Sequence, residues 1–499
     1  MLRTFSRLDF LLLTLLFAST LFFWFPTISL PYWWDSAGFV MQQAHSYLIH
    51  GFSVTRASYS DFAHPPLLSM LLATTWYLFG EDVVISHIAY LPFVLFSVIG
   101  IYLLGREVVK DSIVGPVVGF ATALLVLFTP TFLAQVGIVY MEIPATTFAV
   151  FGYLFFLKRR YVLSSFFFSL MVLMREFTSI IVFVFVILFV LRWWSERKKS
   201  SSVQYRNIFY MIFPILLLCG WFFYHYLLTG WWMISPDRPF VGGHAFSFDF
   251  VKLASVFSFI FLFQWRVLLF AAFVLCFLGS YFYSPKIWLR QKDLLRIDTA
   301  PLFIIPVVYL LFFGRFEFLT RYSVIVLPFL YLLVVCSLKN MISKTKRRMQ
   351  VCVILSFSLV TLFFFRSEWN LHRVVNTYYY SPLEDNLEYR DVIALGKQVA
   401  SYLELHHQDT AIYSSFPFTS MLADSYQGYT ASSFTIRDCK TYARGNGVII
   451  YHYFSPGSVD CSHLLNTYVI NSKKKFSVNG KRVLVAEFSG SKNKGEEKK

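Results

Sequence analysis

Charge is scarce in this chain. Only 14% of its 499 residues are Asp, Glu, Lys or Arg, against roughly 25% in ordinary soluble domains. With 57% apolar and 20% aromatic residues, the shortage excludes a water-soluble fold, whose core could not hide so much Phe, Leu, Val and Ile. Acids are scarcer still, 28 against 44 Lys and Arg. The cations sit in short patches between apolar runs, as in Lys158-Arg159-Arg160, Arg197-Lys198-Lys199 and Lys346-Arg347-Arg348. That is a topology signal and not a groove for phosphates, so no nucleic-acid partner is expected. Cysteine is rare and shows no metal-ligand spacing. Cys219, Cys276, Cys336 and Cys352 lie in apolar runs and read as packing residues. Cys439 and Cys461 fall in a polar C-terminal stretch, where a disulfide is open to them in an oxidising compartment. Internal repeats are absent, and TISLPYWW after the first apolar run offers no small-residue cleavage site, so that run reads as an uncleaved span.

What the chain has in abundance is runs long enough to cross a bilayer. About eleven spans are expected, near 9–29, 84–104, 113–130, 142–157, 161–174, 177–193, 208–228, 264–284, 300–314, 321–338 and 350–365. With the N-terminus in the cytoplasm, the outward loops up to residue 348 hold only Arg56, Arg175, Arg238, Lys252, Arg266, Arg315 and Arg321. The other basic patches all face inward, as the positive-inside rule asks. Residues 1–365 are thus expected to form a transmembrane domain with long outer loops at 30–83 and 229–263. Past Arg366 the composition turns polar, and 366–488 should form a small extracytoplasmic α/β domain ahead of a disordered tail at 489–499. Helical spacing of Val392, Ile393, Val399 and Leu403 marks a helix over 388–406. Short strands are expected at 410–413, 448–451 and 467–470, with a hairpin turning at Asn479-Gly480.

The chemistry-bearing residues gather on the outward side. Asp35 follows Trp33-Trp34 just beyond the first span, at the depth of aromatic belts. His64 precedes Pro65-Pro66, and proline at a helix start would leave the imidazole beside that helix's N-terminus, where an anion is favoured. Glu142 stands at an outer mouth with Pro144 opening the next helix. Arg175-Glu176 occupies an apolar turn, and GRFEFLTRYSVIVLP brings Arg315, Glu317, Arg321 and Tyr322 to a late turn. His244 falls in the second long loop. Each alone is compatible with an ordinary solvated turn. Together they put a base and several cations at the membrane edge, which suits transfer away from a phosphate leaving group.

The order WDSAGF, HPPL leading to LFG, MEIP and TRYSVIVLP resembles the protein O-mannosyltransferase and aminoarabinose-transferase superfamily, membrane-embedded glycosyltransferases of the C-type fold. The likeness runs through roughly the first 340 residues. It implies a polytopic α-helical fold, an active site open to the outer face, and a donor sugar carried on a polyprenyl or dolichyl monophosphate. The resemblance makes Asp35 the catalytic acid of the first outer loop and Glu142 a second acidic position. It makes His64, Arg175, Arg321 and Tyr322 contacts to the donor phosphate. Many members carry an acidic pair where this chain has Asp35-Ser36, and often a Lys where it has His64. The implied reaction inverts the anomeric carbon and delivers the sugar to a lipid, glycan or protein acceptor. No cofactor is required by it; a divalent metal is compatible with the acids and histidines but called for by no spacing. The plasma membrane is the expected location. The competing readings are a diphosphate-linked glycan transferase or ligase, and a lipid or sugar transporter.

Overall fold

The computed structural model describes residues 5–51, 64–111, 113–197, 206–232, 250–262, 266–271, 273–274, 296–316, 318–342, 384, 386–439, 446–452 and 461–491. The first helix, α1 (Arg7–Trp24), starts at a capping box. Ser6 accepts from the Asp9 backbone N–H, and the Asp9 carboxylate accepts from the Ser6 N–H at 2.7 Å. A 3₁₀ turn through Pro26 ends it, as expected where proline removes a helical donor. Then follow α2 (Met41–His50), α3 (Leu67–Phe79), α4 (Val83–Val109), α5 (Val114–Leu127), α6 (Pro130–Val136), α7 (Glu142–Leu157), α8 (Tyr161–Met174), α9 (Ser179–Arg197), α10 (Arg206–Thr229) and α11 (Phe250–Phe257). The bundle continues with α12 (Pro301–Arg315) and α13 (Leu327–Ile342).

Among the described residues four helices are long and apolar enough to cross a bilayer alone: Arg7–Thr27, Val83–Val109, Glu176–Ser195 and Arg206–Thr229. α5 and α6, bent by 73° across their break, make a fifth, and shorter apolar helices such as α7, α8, α12 and α13 pack among them. Phe10, Phe17, Phe22, Phe96, Ile187 and Phe213 are exposed on the helices, an apolar exterior that only a lipid environment accepts. The chain is an integral membrane protein. α4 and α5 pack closely because Gly105 meets Gly119, where a Cβ on Gly105 would fall 2.6 Å from the Gly119 Cα; small residues of this kind let membrane helices approach.

The structure changes two expectations. The stretch 30–83 holds α2 as well as the helix expected near Pro65, which is α3; His, Gln and Ser among the apolar residues of α2 hide its helical period. The bilayer-length run expected at 113–130 is broken, with α5 ending at Leu127 and Pro130 opening α6 in a new direction. Most of 264–284, all of 350–365, and both His244 and Glu317 lie outside the described residues.

The C-terminal part carries a five-stranded sheet of order β2-β1-β3-β5-β4, with β1 (Ile412–Ser414), β2 (Ile436–Asp438), β3 (Asn446–His452), β4 (Tyr468–Val478) and β5 (Lys481–Ser491). β1 pairs parallel with β2 and β3, while β3, β5 and β4 run antiparallel. The β4–β5 hairpin turns at Asn479 and Gly480, both at positive φ. α14 (Tyr389–His406) buries Val392, Ile393, Val399 and Leu403 against the sheet. A disulfide joins Cys439 and Cys461.

This part is seated on the helices through the loop that follows α1. The Gln427 carbonyl accepts from the Tyr32 N–H at 3.2 Å, and the Gln427 amide donates to the Ala37 carbonyl at 3.1 Å. Tyr429 donates to the Tyr32 carbonyl at 3.0 Å, and Phe416 meets the Trp34 ring at 4.8 Å. Gly428, at φ +86°, lets the chain pass against Val83 and Pro31, a conformation that a Cβ would strain.

Candidate active site

Asp35 is presented by an unusual piece of backbone. Trp34 has φ +52°, a left-handed conformation that costs a bulky residue energy and so tends to mark functional turns. A π-helical turn, Ser36–Val40, follows, another feature frequent at such sites. The Ser36 hydroxyl donates to the Val139 carbonyl at 2.8 Å, tying this turn to the segment that leads into Glu142. Ser36 therefore fixes the loop. The Asp35 side chain keeps 15% of its surface open and pairs with Arg321.

Arg321 is the centre of the site. It is 1% exposed and pairs with three carboxylates: Asp35, Glu384, and Glu142 at 3.3 Å from its Nε. Glu142, wholly buried at the start of α7, also lies 3.7 Å from Arg175. The two guanidiniums share two aromatic rings. Arg321 lies 4.7 Å from the Tyr140 ring centre and Arg175 4.9 Å from that of Tyr322, with the second ring further from each. Cation–π contact of this kind holds a desolvated guanidinium flat. Tyr140 and Tyr322 are themselves fixed, since their backbone carbonyls accept from Tyr90 at 2.8 Å and Tyr309 at 2.7 Å.

His64 closes one side. Its Nδ1 lies 3.0 Å from Glu176 and its Nε2 3.3 Å from Arg175 Nη1. When Nδ1–H donates to Glu176, Nε2 is left to accept from Arg175 (His tautomer assigned from these partners). The imidazole then links an acid to a guanidinium. Next to it, Pro66, Leu67, Met70, Leu173, Phe213 and Trp221 line part of an apolar cavity of about 620 Å³.

The structure brings together Asp35, His64, Glu142, Arg175, Arg321 and Tyr322 from loops far apart in sequence. It adds Glu384, 63 residues beyond Arg321 and 1% exposed, whose carbonyl accepts from Gln135 at 3.3 Å. Its signal in the sequence was an acid four residues after the tyrosine run in YYYSPLED. Burial, helped by Asp35 and Glu142, pushes the Glu384 carboxyl up to about 8 against the opposing pull of Arg321. Arg266 is also buried, donating to Ser323 at 3.2 Å and Thr131 at 3.4 Å. Among the described residues no three His, Cys, Asp or Glu side chains form a metal-holding group.

A loop bearing two short helices on a bundle of apolar helices, together with a small C-terminal sheet, is a fold that this chain shares with solved structures of ArnT. The likeness is to ArnT from Cupriavidus metallidurans in its crystal structure bound to undecaprenyl phosphate, with a TM-score of 0.58 over 95% of this chain and 97% of that one at 13% identity. The apo structure of ArnT gives a TM-score of 0.56 with the same coverage at 14% identity. The cryo-EM structure of the arabinofuranosyltransferase AftD from Mycobacteria aligns over 97% of this chain and 40% of that chain, at 13% identity and a TM-score of 0.47. No family model and no curated protein sequence matches the chain.

Proposed function

We propose that this protein is an inverting glycosyltransferase that moves a sugar from a polyprenyl monophosphate to an acceptor on the outer face of the membrane. The observation that carries the reading is the pairing of a partly open carboxylate, Asp35, with a buried guanidinium, Arg321, in a cluster that reaches through Arg175 to His64, two residues before Pro66 in the lining of an apolar cavity. The ArnT likeness, in a protein whose structure holds undecaprenyl phosphate, supports a donor of this class.

In this scheme Asp35 takes the proton of the acceptor hydroxyl or amine while that atom attacks the anomeric carbon from the face opposite the phosphate. The anomeric C–O bond breaks and its electron pair leaves with the lipid phosphate. Arg321 and Arg175, oriented by Tyr140 and Tyr322, meet the charge as it develops, so they favour the transition state over the bound donor. His64 and Glu176 hold Arg175 in place, and Glu142 sits between the guanidiniums. The cavity beside His64 takes the first units of the lipid. Side-chain cations suffice for the leaving charge, and the scheme draws on no cofactor. We assign residues 1–365 to an eleven-span domain of the plasma membrane with a cytoplasmic N-terminus, and 366–488 to an extracytoplasmic domain that shapes the acceptor side.

The test is transfer of radiolabelled sugar from a panel of polyprenyl-monophosphate sugars by purified protein, with Asp35→Asn alongside and native membranes as acceptor source. Release of free lipid phosphate that depends on Asp35 is expected. No turnover with any donor overturns the reading in favour of a diphosphate-linked donor or a transporter.

A further inference from the structure

With its three neighbouring carboxylates all ionised, Arg321 faces more negative charge than it can balance. Asp35 comes from the first outer loop, Glu142 from α7 and Glu384 from the start of the C-terminal part. Arg175 approaches Glu142 at 3.7 Å, and Gln135 from α6 holds the Glu384 backbone. Tyr140 and Tyr322 supply ring faces. Both Glu142 oxygens and the Nε atoms of Arg175 and Arg321 are buried without a hydrogen-bond partner, so the cluster is incomplete as it stands. A phosphate added here would bring further negative charge into a desolvated space, where unbalanced charge is expensive.

We infer that Glu384 is a positioning residue for Arg321, and that binding of a lipid phosphate is coupled to uptake of one proton by Glu384, which frees the guanidinium for the phosphate. The inference rests on the donor reading proposed above. Among the three carboxylates, Glu384 is the one suited to yield. Asp35 is partly open to water and is needed as a base. Glu142 lies between two guanidiniums. Glu384 is buried with Arg321 as its ion-pair partner, and its carboxyl already sits high, near 8. Neutral Glu384 no longer competes for Arg321, and its O–H can donate to a phosphate oxygen. The proton comes from solvent, and no other bond changes.

The sign follows from linkage. Where Glu384 is already protonated in the free protein, binding needs no proton; above its free-protein pKa each pH unit should weaken binding about tenfold, until the pH passes its higher pKa in the complex. The probe is farnesyl phosphate, whose second ionisation, near 6 for phosphate monoesters, lies outside the window. Calorimetry on the full-length protein in detergent, at pH 9 in two buffers of different ionisation enthalpy, counts the protons taken up. Close to one proton per lipid is expected for the wild type and none for Glu384→Gln, which should also bind with little pH dependence from 7.5 to 9.5. Binding without uptake by the wild type, or unchanged uptake in Glu384→Gln, overturns the inference alone. Were the variant to fold poorly, the wild-type proton count decides by itself. Failure to bind at any pH overturns the donor reading and this inference with it.

Discussion

Two buried ionic clusters sit toward opposite ends of the helix bundle, and they are finished differently. At the start of α1, Asp9 is 1% exposed and fully served: it accepts from the Ser6 N–H and hydroxyl, each at 2.7 Å, and from Tyr102 at 2.5 Å, and it pairs with Arg106 at 3.1 Å. At the other end Arg321 is shared among three carboxylates, while the Glu142 carboxylate and the Nε atoms of Arg175 and Arg321 lack hydrogen bonds. A saturated network fixes structure; in the reading proposed above, the unsaturated one of the same residue types is held open for a ligand. On that reading, satisfaction, and not charge, distinguishes a brace from a site.

The comparison can be broken most sharply at Asp35. Asp35→Asn is expected to cut turnover roughly a hundred- to ten-thousandfold, the usual worth of a general base, with protein yield and thermal midpoint in detergent close to wild type. A comparable loss of folded protein would make Asp35 a brace like Asp9. Asp9→Ala should do the reverse. Removing one member of a buried pair destabilises by about 3–5 kcal/mol, so its melting temperature should fall clearly while turnover per folded molecule holds. In the C-terminal part, Cys439→Ser opens a loop of 22 residues and should destabilise that part by about 3 kcal/mol, seen as protease sensitivity of the sheet before the helices. The smallest effect is expected at His45, which stacks on Tyr426 at 4.3 Å and bonds Glu81 at 2.6 Å. The Glu81 hydrogen bond raises its pKa above 6.5. A raised histidine stabilises fully below pH 6.5, and that gain is lost as pH rises through the folded value. His45→Gln should therefore flatten a modest pH dependence of C-terminal seating, read by the same proteolysis at pH 5.5 and 8.5.

Much of this was legible from one dimension. Apolar runs gave most of the described spans, and the helical spacing of Val392, Ile393, Val399 and Leu403 gave α14 almost to its ends. Asn479-Gly480 gave the hairpin because an Asn-Gly pair accepts positive φ readily. The six residues singled out at the mouth do meet, because topology alone places loops of one parity on one side. What stayed hidden depends on distance through space. Glu384 lies in a stretch whose composition had already turned polar, and no periodicity says that it returns under Arg321. The contact of Arg175 with His64, itself held by Glu176, was equally silent, since a turn of two charges reads the same whether solvated or buried. α2 was missed because His45, His50, Gln42 and Gln43 break the apolar pattern, and β2 because Ile436-Arg437-Asp438 holds one apolar residue beside two charges.

The seating of Gln427 and Tyr429 on Tyr32 and Ala37 has a consequence for anyone rebuilding this protein. The turn that presents Asp35 is gripped from both sides of its WWDS sequence by a segment nearly four hundred residues downstream. Anything that tugs on the C-terminal part, whether a bulky acceptor, an antibody or a fused tag, therefore pulls on the lever that aims the carboxylate. A chimera with a foreign C-terminal part would have to carry residues 416–429 across intact, as a matched key for the lock formed by residues 31–38.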